Sequence, residues 1–149
     1  MPQAHTRDFG ELAYEPSAEW FFPRGLPGFE DQNRFVLIEP AALAPLVFLQ
    51  SLKTPALCFL AVPVWTADPV YQVGMTPDDL DLLGLGGQPK PGDGTLCLAI
   101  LSGSGEAFTV NLLAPVVGNP RFRTAVQAVR ADSTYSHQYP LRLEAVPCL

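Results

Sequence analysis

An all-β domain, a small antiparallel β-barrel-like fold with one short helix, is what this sequence predicts. Three observations lead there. Residues 46–52 (Leu-Val-Phe-Leu-Gln-Ser-Leu) and 56–62 (Ala-Leu-Cys-Phe-Leu-Ala-Val) are apolar runs bounded by proline, too short for buried helices and rich in aromatic and β-branched side chains. Comparable short runs recur at roughly ten-residue spacing, the rhythm of a barrel or sandwich. The 16 prolines in 149 residues are about twice the usual share, which shortens helices and multiplies turns. The length suits one domain, residues 1–149, with a core over about 9–141. No repeat or linker divides it.

Taken in order, residues 1–8 are polar and are expected to fray. Residues 9–14 and 19–22 read as short strands around Pro16. The chain then reaches the stretch that organises the rest, residues 22–30 (Phe-Pro-Arg-Gly-Leu-Pro-Gly-Phe-Glu). Leu26-Pro27-Gly28 has proline and glycine at the two central positions of a type II turn. Phe22, Leu26 and Phe29 are too apolar for a solvated loop, so a rigid corner with a buried side is expected. Residues 35–38 form a compact strand, and 40–45 a linker broken by proline. The runs at 46–52 and 56–62 form a hairpin through Lys53-Thr54-Pro55. Residues 64–68 read as a loop or edge segment, and 70–74 as a short strand.

The clear helix lies over 76–84. Thr76 suits its N-cap, Pro77 its first turn, Asp78 and Asp79 the positive end of its dipole, and Gly84 its stop. Residues 85–94 read as a flexible loop. Residues 95–101 (Thr-Leu-Cys-Leu-Ala-Ile-Leu) are apolar without alternation, as in a strand buried on both faces. Residues 102–106 form a hairpin tip, 107–117 the returning strand, and 118–121 a turn. Residues 122–130 fit either helix or strand. Residues 132–140 are polar and aromatic, and 141–149 form a short tail that suits a last strand.

The net charge of −6 and the isoelectric point near 4.7 disfavour direct nucleic-acid binding, which needs a basic face. They suit a basic partner instead. Cys58, Cys97 and Cys148 are odd in number and far apart, and the first two sit in apolar runs. Free thiols follow, as in a reducing compartment. The first residues lack the apolar core of a secretory signal, and no run approaches the length of a membrane span. A cytoplasmic protein without membrane attachment is expected.

Few residues suggest chemistry. Gly84, Gly86 and Gly87 follow a helix and lack the Gly-Lys-Ser/Thr ending of a phosphate loop. Ser102 and Ser104 lack the Gly-x-Ser-x-Gly elbow. His5 and His137 are too few for a metal centre, and the spacing of His137 with Asp132 and Cys148 matches no metal pattern. No cofactor or catalytic residue is assigned. Asp78, Asp79 and Asp81 form the densest acidic cluster, suited either to helix stabilisation or to a basic partner. Asn111 in an apolar strand needs partners if buried. Tyr135 and Tyr139 suit either an interface or a cap on the core. A pocket lined by Trp20, Phe22 and Trp65 would make the chain a small-ligand-binding barrel.

Four stretches together resemble the flagellar assembly factor FliW family. They are residues 22–30; Phe48-Leu-Gln-Ser51 followed by Pro55-x-Leu-x-Phe59; Val110-Asn-Leu-Leu-Ala-Pro-Val-Val117 with Asn119; and Ser133-x-Tyr-Ser136 followed by Pro140-Leu141. In order and spacing they cover about residues 9–141. The resemblance implies a non-enzymatic β-barrel-like protein that binds flagellin and the RNA-binding translational regulator CsrA. It implies that binding stops CsrA from repressing flagellin synthesis, and that cytoplasmic flagellin competes for the factor. A dedicated flagellin chaperone without the regulator is the alternative within the family. Motif membership adds Asn119 and Ser136 to Asp78, Asp79, Asp81, Asn111, Tyr135 and Tyr139 as expected partner-binding residues. The chain departs from the family at His137-Gln-Tyr-Pro140, where relatives carry a basic pair. It also departs in the linker before Phe48 and at 84–94, where relatives are more acidic.

Overall fold

The structure is a computed structural model that describes residues 1–104, 107–130 and 134–141. Its centre is a closed barrel of seven strands. In chain order these are β3 (Glu19–Phe21), β4 (Arg34–Ile38), β5 (Val47–Ser51), β6 (Cys58–Pro63), β7 (Leu96–Ser104), β9 (Val116–Asn119) and β10 (Thr124–Gln127). Around the ring the order is β7-β6-β5-β4-β3-β10-β9, and β9 pairs back onto β7. The nine residues of β7 do two jobs. Leu96, Cys97 and Leu98 pair with β9 and close the ring. Leu101 to Ser104 pair with β8 (Ala107–Val110), which in turn carries β11 (Tyr139–Leu141).

One junction is parallel: β10 meets β3 at Thr124 and Phe21. The sequence suggests an antiparallel barrel, and every other neighbour in the ring obeys it. A ring of seven strands cannot alternate direction all the way round, so one like-directed pair is forced. The other ladders follow the patterns expected for residues 35–38, 46–52 and 56–62, and β5 and β6 form the expected hairpin.

The wall of the barrel is buried from both sides. One cluster packs Trp20, Phe22, Leu26, Phe35, Leu49, Ala61, Leu98, Val116 and Ala125. The other takes the alternate positions Val62, Cys97, Ala99, Val117 and Val126 and covers them with Val64, Tyr71, Val73, Met75 and Leu83 from the long excursion between β6 and β7. Period-2 side-chain alternation sends neighbours to opposite faces. An unbroken apolar run is therefore required at 96–101, as the sequence suggests.

The corner at residues 22–30 forms as expected. The Phe29 N–H donates to the Leu26 carbonyl at 2.6 Å, and Gly28 takes φ 84° at the second central position. Gly25 has φ 61°, and a Cβ there would lie 2.4 Å from the Phe29 carbonyl oxygen. Phe22 and Leu26 are buried; Phe29 departs from expectation, lying exposed with its ring edge-on to Phe59. The corner is tied to the β5–β6 turn by a polar network. Ser51 Oγ donates to Gln32 Oε1 at 2.6 Å, Gln32 Nε2 donates to Thr54 Oγ1, and the Lys53 and Thr54 N–H groups donate to Ser51 Oγ. Gln50 Nε2 reaches the Ser51, Pro55 and Leu57 carbonyls.

Several expectations are corrected. Residues 1–8 do not fray: β1 (Gln3–Thr6) pairs with β2 (Gly10–Ala13), and Ala4 and Thr6 are buried. The burial of alternate residues was hidden by polar composition. Residues 70–74 form no strand. Tyr71, Val73 and Met75 do alternate inward, but no neighbouring strand offers a ladder there. Residues 64–68 hold a one-turn helix, α1 (Val64–Ala67), rather than a loop. Two 3-10 turns, Pro16–Ala18 and Ala41–Leu43, add to it, so the expected helix is not the only helical element. That expected helix is α2 (Pro77–Leu83): the Asp79 N–H donates to Thr76 Oγ1, and Gly84 closes it at φ 67°. The loop at 85–94 is pinned by Gln88, whose side chain bonds both the N–H and the carbonyl of Met75. Residues 102–104 extend β7 rather than forming a tip, and β9 runs on through Asn119. The ambiguous stretch at 122–130 contributes strand β10. Of the tail, Leu141 is in β11, while 142–149 lie outside the described residues.

Trp20 and Phe22 pack in the first cluster and Trp65 against the second, on opposite sides of the wall, so the three line no common pocket. Cys58 and Cys97 are free thiols. Burial pushes the Cys97 thiol up to about 12 and the half-buried Cys58 up to about 11. Burial likewise raises Tyr71 to about 12, and its hydroxyl donates to the Leu112 carbonyl at 2.6 Å.

Two predictions follow from this packing. Gly25→Ala should lower unfolding free energy by about 2 kcal/mol or more, through positive φ and the clash with Phe29, as read by urea denaturation. An unchanged midpoint would remove the corner as a constraint. Stability should also fall with alkalinity. The unfolded Cys and Tyr ionise near pH 8.5 and 10, while the folded groups hold their protons to about 12. Their contribution is therefore full below about pH 8.5 and declines from there towards pH 12. Urea midpoints across that range would show it, and Cys97→Ala should flatten part of the slope.

Candidate protein-interaction site

Four separate stretches of sequence meet at one groove of about 330 Å³. Leu26, Pro27 and Phe29 come from the corner, Phe59 from β6, Asn111 from the end of β8, and His137 and Gln138 from the segment before β11. Ile100, Ser102 and Gln127 complete its lining. No Asp, Glu, Lys or Arg side chain lines it. The groove offers exposed aromatic edges beside amides and a hydroxyl. That chemistry suits a protein segment with mixed apolar and polar side chains. Among the described residues no group of three His, Cys, Asp or Glu could hold a metal ion. Asp132 and Cys148, considered with His137, lie outside the described residues.

The predicted site residues separate into three places. Asn111 is in the groove wall, where its Oδ1 accepts from the Leu113 and Ala114 N–H groups and ends β8. Its structural duty is therefore satisfied by one atom while its side chain lines the groove. Ser136 and Tyr139 flank His137 and Gln138. Ser136 is exposed, its Oγ accepts from Gln138, and its carbonyl accepts from Leu112. Tyr139 packs against the core, as does Tyr135. The Tyr135 ring lies 4.4 Å from that of Tyr71, the Arg130 guanidinium stands over it at 5.1 Å, and its hydroxyl accepts from the Gln72 N–H.

Asp78 and Asp81 are exposed on α2, away from the groove lining. Asp79 is not part of an exposed acidic face. Its side chain is 8% exposed and binds Arg24 at 2.5 Å, which fastens α2 to the corner. A helix of this length turns successive carboxylates in different directions, and the sequence cluster does not survive as a surface cluster. Asn119 is buried as well. Its Nδ2 donates to the last-turn carbonyl of Leu83, and its Oδ1 accepts from Arg121. It holds α2 against the β9–β10 turn. The groove residues Phe29, Phe59, Gln127 and His137 were missed. Phe29 and Phe59 lie in the FliW-like motifs, which could have pointed to them, whereas Gln127 and His137 lie outside those motifs and carry no sequence signal.

A model of the FliW protein family matches residues 3–141. The chain belongs to the FliW family. Among its relatives is the flagellar assembly factor FliW of Geobacter sulfurreducens, 33% identical over 137 residues, covering 91% of this chain and 83% of that protein. Another is the flagellar assembly factor FliW of Geobacillus kaustophilus, 30% identical, covering 95% and 96%. A crystal structure of the flagellar assembly factor FliW superimposes with a TM-score of 0.82 at 27% identity, covering 97% of this chain and all of that one. The FliW barrel, including the corner and the groove region, is thus spanned from end to end.

Asp79→Ala should cost about 1–2 kcal/mol of stability, less than a fully buried pair because Arg24 stays half in solvent. Urea denaturation measures this directly, and a change within error would mean that the pair is fully screened.

Proposed function

We propose that this protein is a non-enzymatic FliW that works in the cytoplasm, binds flagellin, and antagonises CsrA. The observation that carries the reading is the convergence of three of the four FliW-like motifs on one groove, beside His137 and Gln138 from the chain between the two halves of the fourth. Motifs kept for folding alone would be scattered through the core. These place Pro27, Phe29, Phe59 and Asn111 around a common opening, where His137, outside the motifs, joins them. The proposed mechanism is mass action. Free protein holds CsrA away from messenger RNA; accumulating flagellin withdraws the protein, and repression resumes until flagellin is exported.

Charge supports the CsrA half. A surface that binds RNA must be basic, and a protein of net charge −6 is attracted to it and excludes RNA from it. Asp78 and Asp81 stand exposed without an ion-pair partner among the described residues, and α2 presents both. The free thiols of Cys58 and Cys97 fit a reducing compartment.

Calorimetric titration with CsrA and flagellin from the same genome tests the reading. Binding to both, with flagellin weakening the CsrA signal, is expected. Flagellin binding alone would leave a chaperone. Asp78→Asn with Asp81→Asn should weaken CsrA by about threefold to tenfold at low salt and by less at high salt, since exposed charges are screened. Equal affinities at both salts would take these residues out of the interface.

A further inference from the structure

Asn111, just after β8, and Gln127, at the end of β10, line the same groove, and both are fastened to one residue, Ala114. Asn111 Oδ1 accepts from the Leu113 and Ala114 N–H groups at 3.1 and 3.0 Å. Gln127 Nε2 donates to the Ala114 carbonyl at 3.0 Å. The Asn111 N–H donates to the Ile100 carbonyl at 3.0 Å, which ties this turn to β7 at another residue of the lining.

Each amide spends one end on the backbone and keeps the other. Asn111 retains its Nδ2 donor and Gln127 its Oε1 acceptor, and among the described residues no hydrogen bond joins the two side chains. Neither orientation can be reversed. Turning Asn111 over would set its NH2 against two N–H donors, and turning Gln127 over would set its oxygen against a carbonyl. Neither free end is a buried atom without a partner, so both meet solvent. The groove thus presents one fixed donor and one fixed acceptor beside Phe29, Phe59 and Ile100. Phe29 is 39% exposed, with its ring edge-on to Phe59.

That set has a definite complement. A residue in an extended chain turns its own C=O and N–H to one edge, as in a hydrogen-bonded pair of antiparallel strands. Its carbonyl can accept from Asn111 Nδ2 while its N–H donates to Gln127 Oε1. Side chains of an extended segment leave towards its faces, so an apolar one can lie against Phe29 and Phe59. A charged group finds no such counterpart. No Asp, Glu, Lys or Arg side chain lines the groove, and a charge entering it would shed water without an opposite charge to meet.

We infer that Asn111 and Gln127 are the specificity-determining pair of this groove, and that they read the main chain of an extended, uncharged protein segment bearing an apolar side chain. The inference rests on the proposed function for the view that the groove takes a protein partner. It also separates the groove from α2, whose exposed Asp78 and Asp81 act through charge. Contacts in the groove resist salt, and contacts to α2 do not.

One substitution parts the two duties of Asn111. Asn111→Asp keeps an acceptor for the Leu113 and Ala114 N–H groups and replaces the Nδ2 donor by a second acceptor. Asn111→Ala removes both ends. Gln127→Met removes the free acceptor without adding charge. The full-length variants are melted thermally, then titrated with flagellin and with CsrA separately, at low and high salt. Asn111→Asp should melt close to the wild type and Asn111→Ala below it. Asn111→Asp and Gln127→Met should each weaken at least one of the two partners about tenfold or more. The Gln127→Met loss should be the same at both salts, and the Asn111→Asp loss should survive at high salt. Folded variants that bind both partners as the wild type does would overturn the inference and leave the proposed function standing. A loss seen in Asn111→Asp alone that vanishes at high salt would be repulsion by the added carboxylate, and would overturn it too. Affinity that falls only in Asn111→Ala, with the melting temperature, would leave Asn111 a structural cap. A folded wild-type protein that binds neither partner would overturn both readings.

Discussion

Closure of a ring with an odd number of strands is the constraint on which this molecule depends. Seven strands cannot alternate, so β3 and β10 must run in the same direction where they meet. Two adjacent strands in a parallel pair cannot be joined by a tight turn. Nearly the whole barrel therefore lies between them in sequence, and the contact is short, a single register pair supported by the Phe21–Arg123 hydrogen bond. That leaves Phe21 and the β9–β10 turn projecting from the seam.

The second consequence of closure is that β7 must serve two partners on one edge. Its first half completes the ring and its second half carries β8 and β11 outside it. Where β8 leaves β7's neighbour β9 behind, the chain needs a sharp change of direction. Asn111 supplies it by capping the Leu113 and Ala114 N–H groups. The divergence of the two sheets at this point opens the groove that Phe29, Phe59 and His137 line. Leu26, Pro27, Phe29, Phe59 and Asn111 of its lining come from the FliW-like motifs, and Ile100, Ser102, Gln127, His137 and Gln138 from outside them.

Two polar arrangements hold the corner that everything else abuts. Gln32, Ser51 and Thr54 join it to the β5–β6 turn from inside, and Arg24 with Asp79 joins it to α2 from outside. Buried polar groups of this kind are costly unless paired, and pairing fixes one arrangement. These pairs hold the corner, and with it the Leu26, Pro27 and Phe29 side of the groove, in one arrangement.

The sequence by itself determined the local elements whose signals are short-range. The type II turn at 26–29, the Thr76-capped helix, the β5–β6 hairpin and the doubly buried run at 96–101 all follow from neighbours in the chain. The family resemblance lay in residue order and was legible too. What only the tertiary structure decided depends on residues far apart. Val73 alternates like a strand residue yet has no ladder beside it, and polar residues 3–6 find one in β2. Asp79 reads as one of three equivalent acids until Arg24, 55 positions away, claims it. Asn119 reads as a surface residue until the end of α2 covers it. Phe29 reads as buried because it is aromatic, and only the packing of the corner beside Phe59 leaves it exposed. Local propensity is written in spacing, whereas burial and charge pairing are set by which distant surfaces meet, and closure of the ring decides that.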